Sequence, residues 1–358
     1  MADDEQSSPE ITFAEFVKPE KWKDFESHAR SIESDLSRDL AASAKQNERI
    51  RKEVRGFLEK EYNISKVGDK ELSWAEEKLF RCQVSAVDGT HSTYPMLSGI
   101  RCRIGVAATS YKNKRTDGVV FVSEQYLHPS ETSVLDVLKN RKPENKLISN
   151  MLIRAIMFYM ERKIGLERQE EWVMFNGPVI PYELRTGIGR LRALDPCLSL
   201  CEQGLERKTI VGVIGTSSEP EIISLGLALN TREYVRLRSF KDDLEDYLPT
   251  AHFNASDQAR FQRFIDAYGD KLDVGIYKAG HRAYMFHAHR EHFDEAAAII
   301  MRDSMFQELR GYPLLIDYAD SLCTYMLASS DFRRMVDFGL AREGSLPFEQ
   351  SEGDQRRR

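Results

Sequence analysis

Residues 82–90 read Cys-Gln-Val-Ser-Ala-Val-Asp-Gly-Thr, and this stretch decides how the chain is interpreted. Its first six residues predict a short buried strand. Asp88 then falls where we expect the strand to run into a turn, and Gly89 lets backbone or a ligand approach closely. A carboxylate held on a rigid element can bind a divalent cation against a phosphate. Asp-Gly is also a common turn dipeptide, so a plain turn is the alternative interpretation.

The size and composition are those of an ordinary globular protein. The chain has 358 residues, of which 41% are hydrophobic and 30% charged, enough for one large domain or two modest ones. Its most apolar long segment, residues 151–160, is interrupted by Arg154, so no membrane span is expected. The acidic start has no apolar core and is not a secretory signal. We therefore expect a cytosolic (cytoplasmic) protein that does not enter the membrane.

Charge and cysteine content narrow the function classes. The formal net charge of −6 argues against a non-specific coat on DNA, although an enzyme could still use metal ions and a local basic groove. The five cysteines are scattered, which argues against a disulfide framework and indicates a reducing compartment. Cys197 and Cys201 lie four residues apart, but no second pair follows at zinc-finger spacing. We expect them to be buried apolar side chains.

The pattern of hydrophobic residues divides the chain into four regions. Residues 1–10 are predicted to be a disordered tail, 11–75 a helical N-terminal region, 76–343 the main domain and 344–358 a polar tail. Apolar residues between 20 and 62 recur at three- and four-residue steps, which predicts helix. This helical region is interpreted as an amphipathic pair packed on the main domain, with a partner-binding or coiled-coil arm as the alternative.

The main domain is predicted to have an α/β, ribonuclease-H-like fold, a mixed sheet flanked by helices. Strands are expected over residues 81–87, 100–110 and 118–124 as an antiparallel meander, then a helix over 145–162 and a strand over 171–175. In this fold the first and fourth strands lie side by side and parallel. Further elements are predicted: helices over residues 181–203, 293–308 and 314–327, a strand over 209–214, and a hairpin between 274 and 287.

Three short motifs stand in order on these elements. They are Asp88-Gly89, then Asn176-Gly177-Pro178 after the fourth strand, and residues 311–320, Gly-Tyr-Pro-Leu-Leu-Ile-Asp-Tyr-Ala-Asp, on the last predicted helix. This arrangement resembles the NurA nuclease family over roughly residues 80 to 325. The resemblance implies a DNA nuclease dependent on Mn²⁺ (or Mg²⁺) that acts in DNA-end processing. It also implies a homodimer working with a HerA-type hexameric ATPase.

The resemblance assigns site residues one by one. Asp88 matches the metal ligand of the first strand, Tyr312 the tyrosine of the last motif, and Asp320 its His/Asp position. Asp317 lies one helical turn before Asp320, so either could face the site. Asn176 stands where the family has Asp and offers a neutral carbonyl ligand, which should weaken metal binding. An alternative function follows: a catalytically impaired NurA-like subunit that binds DNA and regulates the translocase.

The family also has a glutamate on the crossover helix. Glu161 is the candidate, with a solvated surface charge as its alternative role, and Glu144 is the second candidate. The predicted catalytic and metal-binding sets thus contain Asp88, Glu161, Asn176 and Asp320, with Tyr312 added to the catalytic set.

Two further groups of residues could contact phosphate or metal. Three arginines after the central motif are possible phosphate contacts, although exposed helix-surface arginines are commoner: Arg185, Arg190 and Arg192. Three histidines with close spacing could bind metal, although a structural role is the commoner case: His287, His289 and His292.

Overall fold

The structure is a computed structural model that describes residues 18–19, 22, 25–96, 99–112, 115–127, 150–188, 192–215, 220–327 and 329–344. The chain divides into two compact units, Met1–Gly56 and Phe57–Arg358. The predicted tail at residues 1–10 and most of the tail at 344–358 lie outside the described residues. The four predicted regions and their boundaries stay a prediction.

The N-terminal unit consists, in its described part, mainly of one long helix. This helix, α1 (Phe25–Glu61), has 37 residues and confirms the helix predicted between residues 20 and 62, but as one continuous helix and not the expected amphipathic pair. Its residues 43–50 are exposed, in keeping with their charged composition. Across the described ranges, no helix combines the length and apolarity needed to cross a bilayer.

The second unit is built on one mixed sheet. Its nine strands, counted over the described residues, lie in the order β1-β7-β8-β9-β6-β5-β2-β3-β4. The strands are β1 (Ile64–Lys66), β2 (Val84–Met96), β3 (Gly99–Lys112), β4 (Arg115–Leu127), β5 (Trp172–Asn176), β6 (Ile210–Ile214), β7 (Glu233–Ser239), β8 (Leu272–Lys278) and β9 (Ala283–His289).

Helices flank this sheet. They are α2 (Asp69–Phe80), α3 (Asn150–Glu167), α4 (Tyr182–Arg185), α5 (Leu194–Arg207), α6 (Pro220–Leu227), α7 (Phe240–Tyr247), α8 (Ala255–Tyr268), α9 (Phe293–Ser304), α10 (Leu314–Met326) and α11 (Ser329–Arg342). The main hydrophobic core lies between the central strands and helices α2, α9 and α10, where Trp172, Tyr277, Phe286 and Phe293 are buried.

The predicted α/β fold is confirmed by the strand pairing. Strands β2, β3 and β4 form the antiparallel meander, and β2 pairs in parallel with β5, the fourth strand of the predicted order. The first four residues of β5 are buried apolar side chains, as expected for a strand covered on both faces. Helix α3 packs on β2 and β3, and α10 packs on β2, β3 and β4, so both helices bring side chains to the middle of β2.

The prediction of a turn at Asp88-Gly89 is wrong. Strand β2 continues to Met96, with Asp88 paired to Ala107 and Gly89 to Val106 of β3. The reason is that β3 is long enough to pair with the whole of β2, so the backbone hydrogen bonds of Asp-Gly are satisfied within the sheet. Asp88 therefore lies on a continuous, rigid strand.

The helix predicted over residues 181–203 is also corrected. The chain forms two helices there, α4 and α5. Gly187 and Ile188 between them have φ values of 61° and 57°. These left-handed conformations end a right-handed helix.

Candidate active site

Asp88 lies at the centre of the site, in the middle of β2. Its side chain is buried, with 4% relative exposure. Oδ1 accepts hydrogen bonds from the backbone N–H of Gly89 at 2.8 Å and from Asn176 Nδ2 at 3.1 Å. The parallel pairing of Val87 with Phe175 explains the second bond, because it places the next residues of both strands side by side. The sequence motifs at 88 and 176 are thus brought together by strand register.

Tyr312 joins the third motif to this pair. It precedes α10 and is buried, and its hydroxyl donates to Asn176 Oδ1 at 2.8 Å and lies 3.0 Å from the backbone oxygen of Val213. A chain of hydrogen bonds therefore runs from Tyr312 through Asn176 to Asp88. It orients the amide of Asn176 with its nitrogen towards Asp88, because the ionised form of Asp88 accepts hydrogen bonds and cannot donate them.

Glu161 reaches the same region from α3. The side chain is fully buried, with 0% relative exposure. It packs against the bare Cα of Gly89: a Cβ at that position would lie 2.5 Å from Glu161 Oε1 and 2.7 Å from Met157 Cγ. Gly89 is thus required for a close approach of helix to strand rather than for a turn. The helix predicted over residues 145–162 would place Glu161 next to its end, but α3 runs to Glu167, so Glu161 lies well inside the helix.

Arg162 is a site residue that the sequence analysis missed. Its Nη1 donates to Glu161 Oε2 at 2.8 Å, while Nε and Nη2 donate to the backbone oxygens of Val179 at 3.1 Å and Pro178 at 2.6 Å. The guanidinium also stacks over Phe175, 4.2 Å from the ring centre. Arg162 thus ties the crossover helix to the loop that follows Asn176.

The sequence does contain a signal for the buried position of Glu161. Met157, Glu161 and Gly165 recur at four-residue steps, and all three contact the sheet: the first two meet Gly89, and Gly165 meets Phe175. A carboxylate in line with apolar and small residues on a helix faces the core. Arg162 itself gives no comparable signal, because its neighbours in space come from the loop at 178–179.

Burial makes both carboxyl groups hard to ionise. It raises the pKa of Asp88 to about 7, an effect that the Asn176 hydrogen bond opposes and the charge of Asp320 adds to. Burial likewise raises the pKa of Glu161 to about 8, against the influence of the Arg162 guanidinium and with that of Asp88. A nearby cation would favour the ionised forms of both groups.

Of the two acidic candidates on α10, Asp320 is the one coupled to Asp88. Asp320 is exposed, and its charge raises the pKa of Asp88. Asp317 is engaged elsewhere: its Oδ2 accepts from Gln307 Nε2 at 2.7 Å and pairs with Arg310. Among the acids placed by sequence, Asp88, Glu161 and Asp320 therefore interact, and Asp317 does not take part.

Two of the three predicted phosphate contacts lie within the described residues. Arg185 is partly buried, with its guanidinium 5.4–5.7 Å from the ring centres of Phe240, Tyr247 and Tyr182. Arg192 is exposed and has a φ of 49°. Arg190, like the alternative acid Glu144, lies outside the described residues.

The histidines and cysteines have structural placements. His287 and His289 are buried on β9, and burial lowers the pKa of His287 to about 3, so it is neutral at physiological pH. His292 pairs with Glu295 on the surface side of the next helix. Cys197 and Cys201 are buried free thiols, as expected.

The donor set around Asp88 fits a divalent cation that prefers oxygen ligands. Glu161 Oε1 is buried and has no hydrogen-bond partner in the described part of the chain, and both bonds to Asp88 fall on Oδ1. Asn176 Oδ1 accepts from Tyr312 but keeps a second lone pair. Among the described residues, no three His, Cys, Asp or Glu side chains form a ready metal site, so the ligands on the strands and α3 are two carboxylates and an amide.

Comparison with known proteins relates the fold to one group of solved structures. No family model and no curated protein sequence matches the chain. The crystal structure of the NurA nuclease from Sulfolobus solfataricus superimposes with a TM-score of 0.52 at 14% identity, covering 89% of this chain and 98% of that one. A NurA structure with manganese follows at a TM-score of 0.46 and 9% identity, covering 85% and 98%. The resemblance to NurA is therefore confirmed in the fold: this chain has the α/β architecture of the Sulfolobus nuclease along nearly its whole length.

Proposed function

We propose that this chain is a metal-dependent deoxyribonuclease that hydrolyses phosphodiester bonds in DNA-end processing. One observation carries the proposal: a buried carboxylate oxygen beside Asp88, Glu161 Oε1, has no hydrogen-bond partner among the described residues, and Asp88 is linked by hydrogen bonds to Asn176 and through it to Tyr312. An unpaired buried acid destabilises a fold unless it has a ligand to bind. The likeness of the fold to that of a nuclease agrees with this interpretation.

The site residues would divide the work. When bound, Mn²⁺ or Mg²⁺ supplies Lewis-acid chemistry, polarising a phosphate oxygen and lowering the pKa of water. Asp88 and Glu161 would hold the cation, and Asp320 would add charge from α10. Asn176 would offer its amide oxygen, while Tyr312 fixes the orientation of that amide. Arg162 would keep one oxygen of Glu161 occupied and direct the other towards Asp88. The preference for manganese rests on the family resemblance.

A cleavage assay on the full-length protein tests the proposal. Linear DNA would be incubated with Mn²⁺, with Mg²⁺ and with EDTA, using the original chain and Asp88→Asn. The matched control is Asp69→Asn, which neutralises an exposed acid paired with Arg232 at the start of α2. We expect degradation that requires metal, survives Asp69→Asn and is lost in Asp88→Asn. Degradation that persists in Asp88→Asn would reject the proposed site.

A second candidate function is an impaired subunit that binds DNA and regulates a translocase. It is favoured by the amide of Asn176, whose two ends are both engaged, one by Asp88 and one by Tyr312. Such an amide binds a cation less strongly than a carboxylate. If Asn176→Asp creates a metal-dependent activity that the original chain lacks, this second function is the correct one.

The proposed partners rest on the family resemblance. They are DNA, a second copy of this chain and a HerA-type hexameric ATPase. Size-exclusion chromatography with light scattering would measure the oligomeric state of the purified chain. Adding a HerA-type hexamer should move the chain into a larger complex, whereas co-elution at the separate masses would reject that partnership.

A further inference from the structure

An aromatic cleft lies on the part of the second unit that follows Asn176 in the chain. It has a volume of about 760 Å³ and is lined by α4, the start of α5 and the segment joining α7 to α8. Three rings contribute to it: Tyr182, Tyr247 and Phe253. This volume is in the range of sites that accept small aromatic or nucleotide-sized groups.

The rings of the cleft pack against one another and leave Tyr182 accessible from solvent. Tyr247 meets Tyr182 edge-on, at 5.6 Å between centres and 79° between planes, and meets Phe253 in the same way at 6.1 Å and 81°. Each edge-to-face contact covers one face of one ring and one edge of the other, and Tyr247 makes a third such contact with Phe261 at 5.7 Å. Tyr182 is 50% exposed, so its ring is accessible from solvent.

A guanidinium supports these rings from the protein side. Arg185 lies 5.7 Å from the centre of the Tyr182 ring and 5.5 Å from that of Tyr247. Its Nε is buried and has no hydrogen-bond acceptor within the described ranges. The cation holds both rings in place and draws electron density from them, which favours stacking with an electron-rich ring.

The charges of the lining favour a neutral ligand. Arg192 adds one positive charge and Asp257 one negative charge, and the carboxylate of Asp257 accepts a hydrogen bond from Asn254 Nδ2 at 2.8 Å. A balanced, aromatic surface with amide and hydroxyl groups suits a nucleobase better than a phosphate or an acidic peptide. The exposed Arg192 at the same cleft can contact the phosphate beside such a base.

The cleft lies close to the proposed catalytic site. Tyr182 follows Asn176 by six residues, so their Cα atoms are at most about 20 Å apart. The connecting loop is held by Arg162, which binds the backbone oxygens of Pro178 and Val179 and also Glu161. At roughly 3.4 Å per stacked nucleotide, a strand following that Cα separation would need about six nucleotides.

We propose that this cleft binds an unpaired base of a single DNA strand, a few nucleotides from the scissile phosphate. This inference rests on the proposed nuclease function and gives it a substrate class, a strand with at least one unstacked base. Tyr182 provides the stacking surface, and Arg192 contacts the neighbouring phosphate. Because any base has a π-face, the site tolerates different sequences.

Binding measurements in EDTA test the inference separately from catalysis. Fluorescence anisotropy would compare a labelled oligo(dT) with an abasic oligonucleotide of equal length, which has the phosphates without the bases. We expect the original chain to prefer oligo(dT) over the abasic strand. Tyr182→Ala should weaken oligo(dT) binding about tenfold and abolish that preference, since one stacked base contributes about this much. Tyr182→Phe should retain it, and Arg192→Ala should weaken both strands equally.

A matched control and three outcomes make the test decisive. Phe338→Ala removes an aromatic ring that is 74% exposed on α11, outside the cleft, and should leave both affinities unchanged. If Tyr182→Ala binds oligo(dT) as the original does, or if the original binds neither strand, the inference is overturned. The same holds if the original binds both strands equally well. If Tyr182→Ala loses the preference for oligo(dT) and the original chain cleaves no DNA, base binding in the cleft is supported and the nuclease proposal is rejected.

Discussion

Two fully buried carboxylates in this molecule differ in how the protein treats them. Asp303 on α9 has both oxygens satisfied: Tyr111 donates to Oδ1 at 2.7 Å and the backbone N–H of Leu315 to Oδ2 at 3.0 Å. Glu161 on α3 has one oxygen bound by Arg162, and its other oxygen has no partner in the described part of the chain. Asp303 has the hydrogen bonds of a structural residue, whereas Glu161 has an unused acceptor where a ligand could bind. Burial of an acid therefore indicates function only when one of its oxygens is left without a hydrogen bond.

The largest expected difference concerns catalysis. Asp88→Asn should lower the rate of DNA cleavage about a thousandfold or more, because groups that act as one unit fail together. Asp303→Asn should instead lower the free energy of unfolding by about 1.5–3 kcal/mol through its lost hydrogen bonds, while the folded fraction stays active. Initial cleavage rates and urea unfolding curves of both variants would measure this. Similar behaviour of the two variants would break the comparison.

The ion pair behind Glu161 gives the next effect. At about pH 9, where Glu161 is ionised, Arg162→Met should lower the free energy of unfolding by about 3–5 kcal/mol, because it leaves a buried charge without its partner. Adding Glu161→Gln to that variant should recover most of the loss. The control, Arg232→Met, removes one member of an exposed pair with Asp69 and should change stability by less than about 1 kcal/mol. Equal losses of unfolding free energy in Arg162→Met and Arg232→Met would show that the buried pair stabilises the fold no more than the exposed one.

Placing a carboxylate at position 176 tests the same site by adding a negative charge. Asn176→Asp should tighten Mn²⁺ binding about tenfold, since it adds a negative charge 3.1 Å from Asp88 Oδ1. The same charge should destabilise the metal-free protein. Isothermal titration calorimetry would measure the affinity, and thermal unfolding in EDTA the stability. Unchanged affinity would place the cation away from Asn176.

The two raised pKa values predict how stability depends on pH. In the unfolded chain these carboxyl groups lose their protons near pH 4, whereas in the folded protein Asp88 holds its proton to about pH 7 and Glu161 to about pH 8. The folded state thus binds more protons between about pH 4 and 8, and its free energy of unfolding falls as the pH rises through that range.

Metal should reverse this trend. The shift of Tm on adding Mn²⁺ should be several degrees larger at pH 8.5 than at pH 6, because cations bind the deprotonated carboxylates. Asp88→Asn should reduce that difference, and EDTA should abolish the shift. A metal-induced shift of equal size at both pH values would contradict the assignment of Asp88 and Glu161 as ligands.

The smallest effect separates two buried tyrosines. Tyr312→Phe and Tyr284→Phe each remove a hydroxyl that donates one hydrogen bond, to Asn176 Oδ1 and to the backbone oxygen of Arg310 respectively. Both should lower the free energy of unfolding by about 1 kcal/mol. Only Tyr312→Phe should also reduce cleavage, because only Tyr312 orients Asn176. Equal cleavage by both variants would exclude that orienting role.

Local sequence patterns predict most elements but not β1, at one edge of the sheet, or β7 beside it. The meander, the crossover helix and β5 have strong periodicity and were foreseen. Strand β1 has three residues, too few for a pattern, and β7 carries Arg236 and Arg238 in a segment that reads as polar. Both are recognisable only by their pairing, β1 with β7 and β7 with β8.

The sequence by itself determined the order of α and β elements and the placement of Asp88, Asn176 and Tyr312 at recognisable motifs. Only the tertiary structure decided that Gly89 serves a helix contact, that Arg162 binds Glu161, and that Arg185 supports an aromatic cleft. The physical reason is the range of the forces involved. Periodicity records which face of an element is buried, whereas hydrogen bonds, unpaired lone pairs and shifted pKa values depend on neighbours that are distant along the chain.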